Sequence, residues 1–592
     1  MKGKMKNKPT KDTVSISVSQ HQRMLAFLND ATQPEDLMFE NRNVSHAEGH
    51  GAMEGNVEMK RRKILDEKTA KAVLAFRDRE FPLGFRNLKD LADIIAIDRR
   101  IWDKVILLFS GMFFGEWSTF PQPIPRRGPG STNGIVHAAV LHTGQVLFIT
   151  ADETTLLWDP EDATASTFEN PVNQPHTMPG GYSQLCGHHC FLSDGKLLSV
   201  GGGGYGPNPA AHWGFKFDPV GKSWARTAGS MSMSRWYPTA MRLGDQRVAN
   251  HSQVLVTCGH GGGDMEIYDE TTDSFADITS GDTKTFPSLY PGLHLLPNHS
   301  VFYTRTGWGS AGPGGGPFTG DDQSAYFTFT GDVTGVWNNI ATAPPSIADR
   351  TKGMSVMLLS NTCPHVRILV LGGADPSTND TYEMFDASTL SSLSNWGPRT
   401  TFPDGEHRSL ASAVLLPDGN VFVCGGIQRI NSPCALFNPK TNSWSGMAAL
   451  PSIRNYHSVA ILLPSGKVMM AGWNNAAIEI YSPPYLFNGA RPVISSAPSV
   501  VSHGASFTIA TPDATSIVKV TMVRPMAITH QTDTEQRVFE LPFLHDHVHP
   551  DNLIATAPSS GTAGANAPKG YYMLFAINSG GVPSVAKWIH LG

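Results

Sequence analysis

The sequence predicts a mainly β protein, and three observations predict it. A short unit recurs along most of the chain: two apolar strands around a tight turn, a Gly-Gly ending, then an aromatic strand. Gly (58 of 592 residues) and Pro (42) are abundant, as many short strands joined by turns require. Charge also changes abruptly along the chain. Residues 1–112 hold 20 Lys/Arg and 16 Asp/Glu, a net +4, whereas 113–592 hold 26 and 35, a net −9. That shift places a domain boundary near Gly115–Gly130, where PQPIPRRGPG reads as a linker.

Residues 1–112 read as a small helical region. The stretch to about residue 55 is polar with little periodicity. From Lys63 apolar residues fall at helical spacing, broken at Pro82-Leu83-Gly84. The segment at about 63–112 resembles a helix-hairpin-helix module, with Ala96-Ile97-Asp98 replacing the usual glycine-containing hairpin. That replacement favours a protein-docking role over phosphate binding. Asp103 and Lys104 interrupt the apolar stretch Ile101–Phe114, and no apolar run approaches the ~20 residues of a membrane helix. The opening MKGKMKNKPTKDTVSISV has lysines with no apolar core behind them, so no secretory signal is read from it. The overall charge of −5 excludes a globally basic nucleic-acid binder. Six cysteines are too few for a disulfide scaffold.

From His137 the repeat appears as HAAVLHTGQVLFIT with LLWDPE, then as CFLSDGKLLSVGGGG with FKFDPVGKSW. It returns around AMRLGDQRVANHSQVLVTCGHGGG, in degraded form as GLHLLPNHSVFYTRTG, and around MSVMLLSNTCPHVRILVLGG, SAVLLPDGNVFVCGG and SVAILLPSGKVMMAGW. Seven copies spaced roughly 45–60 residues apart are the period of a kelch-type β-propeller, expected over 113–489. Each copy is one four-stranded blade, and radial repetition protects the strand edges. After YSPPYLFNGARPVISSAP the repeat stops. Alternating strands then predict an immunoglobulin-like (early-set) β-sandwich over 490–592.

Chemistry is expected where blades converge. Cys186 lies nine residues before turn residue Gly195, His457 nine before Gly466 with Tyr456 adjacent, and Tyr237 eight before Asp245. Three blades therefore bring a thiol, two phenols and an imidazole to equivalent positions on one rim. A lone Tyr or His at a strand start is usually structural; the shared phase of these is what singles them out.

These residues also carry a resemblance. Gly-Tyr-Ser-Gln-Leu-Cys186-Gly-His-His-Cys190 resembles the cysteine blade of the copper radical oxidases, the galactose oxidase and glyoxal oxidase family. Arg235-Trp236-Tyr237-Pro238-Thr239 resembles the glyoxal-oxidase-like branch, and Arg454-Asn455-Tyr456-His457-Ser458 the family's tyrosine–histidine pair. Pro525–His530, with Asp533 and Gln536-Arg537 behind it, resembles the C-terminal histidine loop. The resemblance covers about residues 113–592. It implies a mononuclear copper site held by Tyr237, Tyr456, His457 and His530, with Tyr237 thioether-linked to Cys186 as a radical cofactor. It further implies oxidation of a primary alcohol or small aldehyde by O2, yielding H2O2, with Tyr456 as base. Family members usually act outside the cytoplasm; localisation stays open here.

Galactose oxidase has a tryptophan stacked on the linked tyrosine. The corresponding stretch here is Cys258-Gly259-His260, so an indole has to come from Trp236, Trp308 or Trp473. Arg350 sits where an arginine contacts sugar hydroxyls in galactose oxidase, and Trp236 and His260 complete the substrate candidates. Small aldehydes and simple alcohols are favoured over galactose. Cys190 reads as a core thiol, His188 and His189 as either outer-shell or structural groups, and His545-Asp546-His547-Val548-His549 as a solvated loop. Gly-rich 309-SAGPGGGP has no strand-to-helix context and reads as a loop. The competing reading is a non-catalytic propeller for binding or adhesion, carrying a relic site.

Overall fold

The structure, a computed structural model, describes residues 113–592 and scattered positions before them. Excepted within that span are 126–133, 165–166, 204–211, 245–251, 260–264, 280–287, 310–323, 341–349, 360–365, 374–379, 389–395, 473–474 and 560–566. The expected helical region and helix-hairpin-helix lie almost wholly outside the described residues. The chain forms two compact units: residues 1–113 with 487–490, and residues 114–486 with 491–592. Everything below belongs to the second, which is mainly β.

Seven strands each begin an antiparallel sheet, in chain order, among the described residues. They are β1 (Ile135–Val140), β2 (His188–Phe191), β3 (Thr239–Arg242), β4 (Leu293–Leu295), β5 (Met354–Leu359), β6 (Ala411–Leu415) and β7 (Ser458–Leu462). Neighbouring first strands lie against each other: β2 on β3, β3 on β4, β5 on β6, β6 on β7 and β7 on β1. Their residues are almost all buried because each sheet is covered on both faces. Leu197 joins Ala139, Leu147, Phe217 and Trp224 on one side of the second sheet. Leu198 and Val200 join Ala240, Val254 and Val256 on the other.

Glu116–Thr119, just before the stretch read as a linker and inside the expected 113–489 span, pairs antiparallel with Asn475–Ser482 and supplies the fourth strand of the last sheet. Ile124 behind it is 1% exposed. An uncovered outer strand would present free peptide groups, and this segment covers it.

In residues 491–592 a five-stranded and a three-stranded sheet enclose a core that includes Ile509, Val520, Met522, Leu553, Tyr572 and Leu574. A hairpin leaves this sandwich: β8 (Ala527–Thr529) and β9 (Thr532–Asp533). It adds to the inner edge of the first sheet, with Ala527 opposite Ala139 and Thr529 opposite His137. A buried Arg524–Glu535 ion pair holds its base. The other Glu535 oxygen accepts the Phe191 N–H at 2.8 Å, and Gln536 bonds both Leu415 N–H and the Ala413 carbonyl. The hairpin is thus fastened to the first, second and sixth sheets at once. No described helix is long and apolar enough to cross a membrane.

Candidate metal centre

Just before each inner strand from β2 to β7, one residue takes a left-handed backbone conformation. Cys186, Tyr237, Tyr290, Lys352, Leu410 and His457 have φ of 62°, 63°, 48°, 61°, 65° and 60°, and His530, in the turn of the C-terminal hairpin, has 47°. Positive φ is uncommon for side-chain-bearing residues, so its recurrence shows that the fold imposes it. Backbone bonds link successive members: Tyr237 N–H to the Cys186 carbonyl (3.0 Å), Tyr290 N–H to Tyr237 (2.8 Å), and Leu410 N–H to Lys352 (2.9 Å).

Buried arginines fix these turns. Arg235 pairs with Glu266 and donates to the Cys258 carbonyl at 2.7 Å. Arg454 pairs with Glu479 and donates to the Gly472 carbonyl. Each arginine stands two residues before a tyrosine of interest, so the ion pair sets the path of the chain into Tyr237 and Tyr456.

The left-handed turns bring the expected residues together. Cys186 Sγ and a ring nitrogen from each of His457 and His530 all lie within 4.8 Å of one another. The Tyr237 and Tyr456 hydroxyls are 2.5 Å apart, and the Tyr237 hydroxyl reaches the Cys186 thiol. His457 stacks on Tyr456 at 3.6 Å, and the His457 and His530 rings stand edge to face at 4.6 Å. Nε2 of both histidines is buried with no hydrogen-bond partner among the described residues. On His530 the other nitrogen meets Thr529 Oγ1 at 2.7 Å, and Thr529 donates its single hydrogen to the Val136 carbonyl. Thr529 therefore accepts from Nδ1–H, which leaves the Nε2 lone pair directed into the space.

Burial governs the ionisation of the group. It lowers His457 to about 4 and holds His530 well below the usual imidazole value, the latter also through its histidine neighbours. Both imidazoles are neutral near pH 7 and need lose no proton to bind a metal. Burial pushes the Cys186 thiol up to about 12 and raises both Tyr237 and Tyr456. Without a cation, all three hold their protons.

An aromatic cage surrounds Tyr237. Trp236 stacks on it at 3.9 Å and 19°, Tyr290 at 4.4 Å and 27°, and Trp308 meets it edge-on at 5.6 Å. Trp308 also lies 5.0 Å from Tyr456. Tyr456, His457, Trp236 and Trp308 are half-buried, whereas Tyr237, Cys186 and His530 are buried. Below the centre His137, 1% exposed, accepts the Cys186 N–H through Nε2 at 3.3 Å.

Other candidates fall elsewhere. Arg350 is a correction: its guanidinium is 0% exposed, paired with Glu383 and donating to the Gly372 and Thr381 carbonyls. It repeats the clamp of Arg235 and Arg454, which removes it from the substrate contacts. His260 and Trp473 lie outside the described residues, as do Gly-rich residues 310–316. Cys190 packs with Leu198 and Val254 away from the centre. His188 is buried, with Nδ1 accepting the Ala240 N–H, and the 545–549 loop is largely exposed, tied by Asp546 to His549. Tyr290, Thr529 and His137 were not singled out in the sequence. Tyr290 had a signal: it stands nine residues before turn residue His299, the same interval as Cys186 to Gly195 and His457 to Gly466, and all six have positive φ.

Known proteins share this arrangement of chain. Residues 491–591, which include His530, match the galactose oxidase-like early set domain family. An aldehyde oxidase GLOX of Vitis pseudoreticulata is 28% identical over 460 residues, 69% of this chain and 81% of that protein. A galactose oxidase of Gibberella zeae is 26% identical over 534 residues, 80% of this chain and 72% of that protein. The chain is thus similar over most of its length to oxidases of the copper radical family. Its fold accords with that similarity. A fungal alcohol oxidase of the AA5 family, solved in complex with copper, superposes with a TM-score of 0.62 at 22% identity, covering 81% of this chain and 99% of that one.

Proposed function

We propose that this protein is a copper radical oxidase that takes two electrons from a primary alcohol or small aldehyde and passes them to O2. The balance is RCH2OH + O2 → RCHO + H2O2, or RCH(OH)2 + O2 → RCOOH + H2O2 for a hydrated aldehyde. One observation carries the reading: two neutral imidazoles with unpartnered Nε2 atoms face a thiol and two phenols in one space. A relic would have filled that space with apolar side chains or scattered its donors.

The donor set fits copper. Imidazole nitrogen and phenolate oxygen with an open position suit Cu(II) in tetragonal geometry. His457, His530, Tyr237 and Tyr456 would hold the ion, whose charge would replace the phenol protons that burial otherwise retains. Bound there, copper supplies a one-electron acceptor and a route for electrons to O2. Tyr237, linked through an ortho carbon to Cys186, is the second one-electron acceptor, because a thioether enriches the ring and eases its oxidation. Tyr456 Oη takes the substrate hydroxyl proton as base, and the Tyr237 radical takes the carbon-bound hydrogen atom. Thr529 holds the His530 tautomer, as outer-shell partners of metal ligands do.

We further read the seven sheets as the blades of a kelch-type propeller over 113–489, followed by the early-set sandwich over 490–592. The N-terminal helical region remains a proposed docking module. The substrate is read as glyoxal-oxidase-like rather than galactose: Trp236 and Trp308 crowd the Tyr237 ring, and Arg350 is not available to sugar hydroxyls. Copper-loaded protein is screened by peroxide release with glyoxal, methylglyoxal, glycolaldehyde, benzyl alcohol and galactose. Release from small aldehydes or alcohols is expected. Release from none of them, or full activity in His530→Ala, overturns the reading.

A further inference from the structure

We propose that Tyr290 is the positioning residue that holds Cys186 and Tyr237 in register for their bond to form. The proposal rests on the copper oxidase reading above and assigns a residue which that reading does not use. Tyr290 is fully buried; it contacts Tyr237 directly and Cys186 through the adjoining Gly187. Its backbone N–H donates to the Tyr237 carbonyl at 2.8 Å. Its ring lies 4.4 Å from the Tyr237 ring at 27°. Its hydroxyl donates to the carbonyl of Gly187, the neighbour of Cys186, at 2.8 Å. Tyr237 N–H donates in turn to the Cys186 carbonyl at 3.0 Å. Cys186, Tyr237, Tyr290 and Gly187 thus form a closed circuit of contacts.

The stacking geometry adds a second constraint. Trp236 lies 3.9 Å from the same Tyr237 ring at 19°. Two rings so nearly parallel at those separations do not fit on one face of Tyr237, so Trp236 and Tyr290 hold opposite faces. The ring plane is then fixed, and the edge of Tyr237 is what meets the Cys186 thiol. A phenylalanine at 290 keeps the stack and loses the link to Gly187; a leucine loses both.

The bond this serves is an oxidation. The Cys186 S–H and a ring C–H ortho to the Tyr237 hydroxyl break, a carbon–sulfur bond forms, and two protons and two electrons reduce O2 to H2O2. Holding the thiol against one ring carbon removes the rotational freedom that opposes contact, an effect that is large for well-oriented partners.

The test compares wild type, Tyr290→Phe and Tyr290→Leu. In metal-free protein, Cys186 alkylation by iodoacetamide is followed by peptide mass mapping. With Cu(II) and O2 added, loss of two hydrogens is followed by intact mass, and bound copper is counted on the same samples. Tyr290→Phe is expected to slow the mass loss about fivefold, the value of one hydrogen bond, and Tyr290→Leu by tenfold or more, with both binding one copper per chain. Cys186 alkylation is expected to accelerate in the same order. The conservative Tyr290→Phe decides the matter if Tyr290→Leu does not fold. Wild-type rates of both reactions in Tyr290→Phe and in any folded Tyr290→Leu overturn the assignment of Tyr290 alone. A wild-type protein that binds copper and never loses the two hydrogens overturns the thioether reading, and this proposal with it.

Discussion

The second, third, fourth and seventh sheets place Cys186, Tyr237, Tyr290 and His457 at a backbone position that the fifth and sixth fill with Lys352 and Leu410. The conformation is the same in all six, with φ between 48° and 65°. The buried arginine two or three residues earlier also recurs on both sides of the division. Arg235 and Arg454 precede the tyrosines, whereas Arg350 and Arg408 precede Lys352 and Leu410. The clamp is therefore scaffold, and the residue it delivers is function. That separates two kinds of substitution which the sequence alone presents as alike, since every one of these arginines occupies an equivalent place in its repeat.

The largest expected effect falls on the delivered residues. His530→Ala is expected to lower peroxide production more than about 100-fold, beyond the 10–100-fold that outer-shell partners of metal ligands typically cost. Its melting temperature should stay near that of wild type; an unfolded variant, or one retaining activity, would break the comparison. The clamps come next. Arg454→Met leaves the buried Glu479, at 2% exposure, without its arginine and is expected to cost roughly 3–5 kcal/mol in denaturant unfolding, whereas Arg350→Met leaves Glu383 paired with Arg305 and Arg399 and should cost less. Only Arg454→Met should also weaken copper binding, measured by competition with a chelator, because only it leads into Tyr456. Equal weakening by both would mean that the clamp itself is part of the centre.

A smaller effect concerns acid. Burial alone would raise the Glu383 carboxyl, but Arg350, Arg305 and Arg399 outweigh it and bring it from 4.5 to about 2. The folded value lies below the unfolded one, so the contribution is full above about pH 4.5 and is lost as pH falls through about 2. It amounts to roughly 3 kcal/mol. The stability difference between wild type and Glu383→Gln should therefore shrink across that interval and be flat above it. A difference independent of pH would remove the ion-pair account. The smallest effect is reserved for Lys352. Lys352→Met is expected to change stability by less than about 1 kcal/mol and to leave the two-hydrogen mass loss intact, as measured on copper-loaded protein.

Much of this was legible because it is local. The alternation of apolar residues, the turn glycines and the Gly-Gly endings recur within each repeat, and the phase of Cys186, Tyr237 and His457 against their turns marked one rim. Arg350 was misread for the same reason that it recurs: a buried clamp and a substrate contact look alike until the burial of the guanidinium is known. Tyr290 was passed over because its repeat is degraded, with His299 standing where other copies have Gly; the nine-residue interval was nevertheless present.

The sequence by itself determined which residues start strands, where the turns fall, and which thiol, phenols and imidazoles were available for chemistry. Only the tertiary structure decided their neighbours. Residue 530 meets residues 186, 237 and 457 because the C-terminal hairpin adds an edge to β1 and is held there by Glu535 and Gln536. Trp308, distant in sequence, joins the adjacent Trp236 beside the Tyr237 ring. Local pattern fixes a strand through the period of its side chains, whereas contact across hundreds of residues is fixed by the closing of sheets against one another, which no single segment encodes.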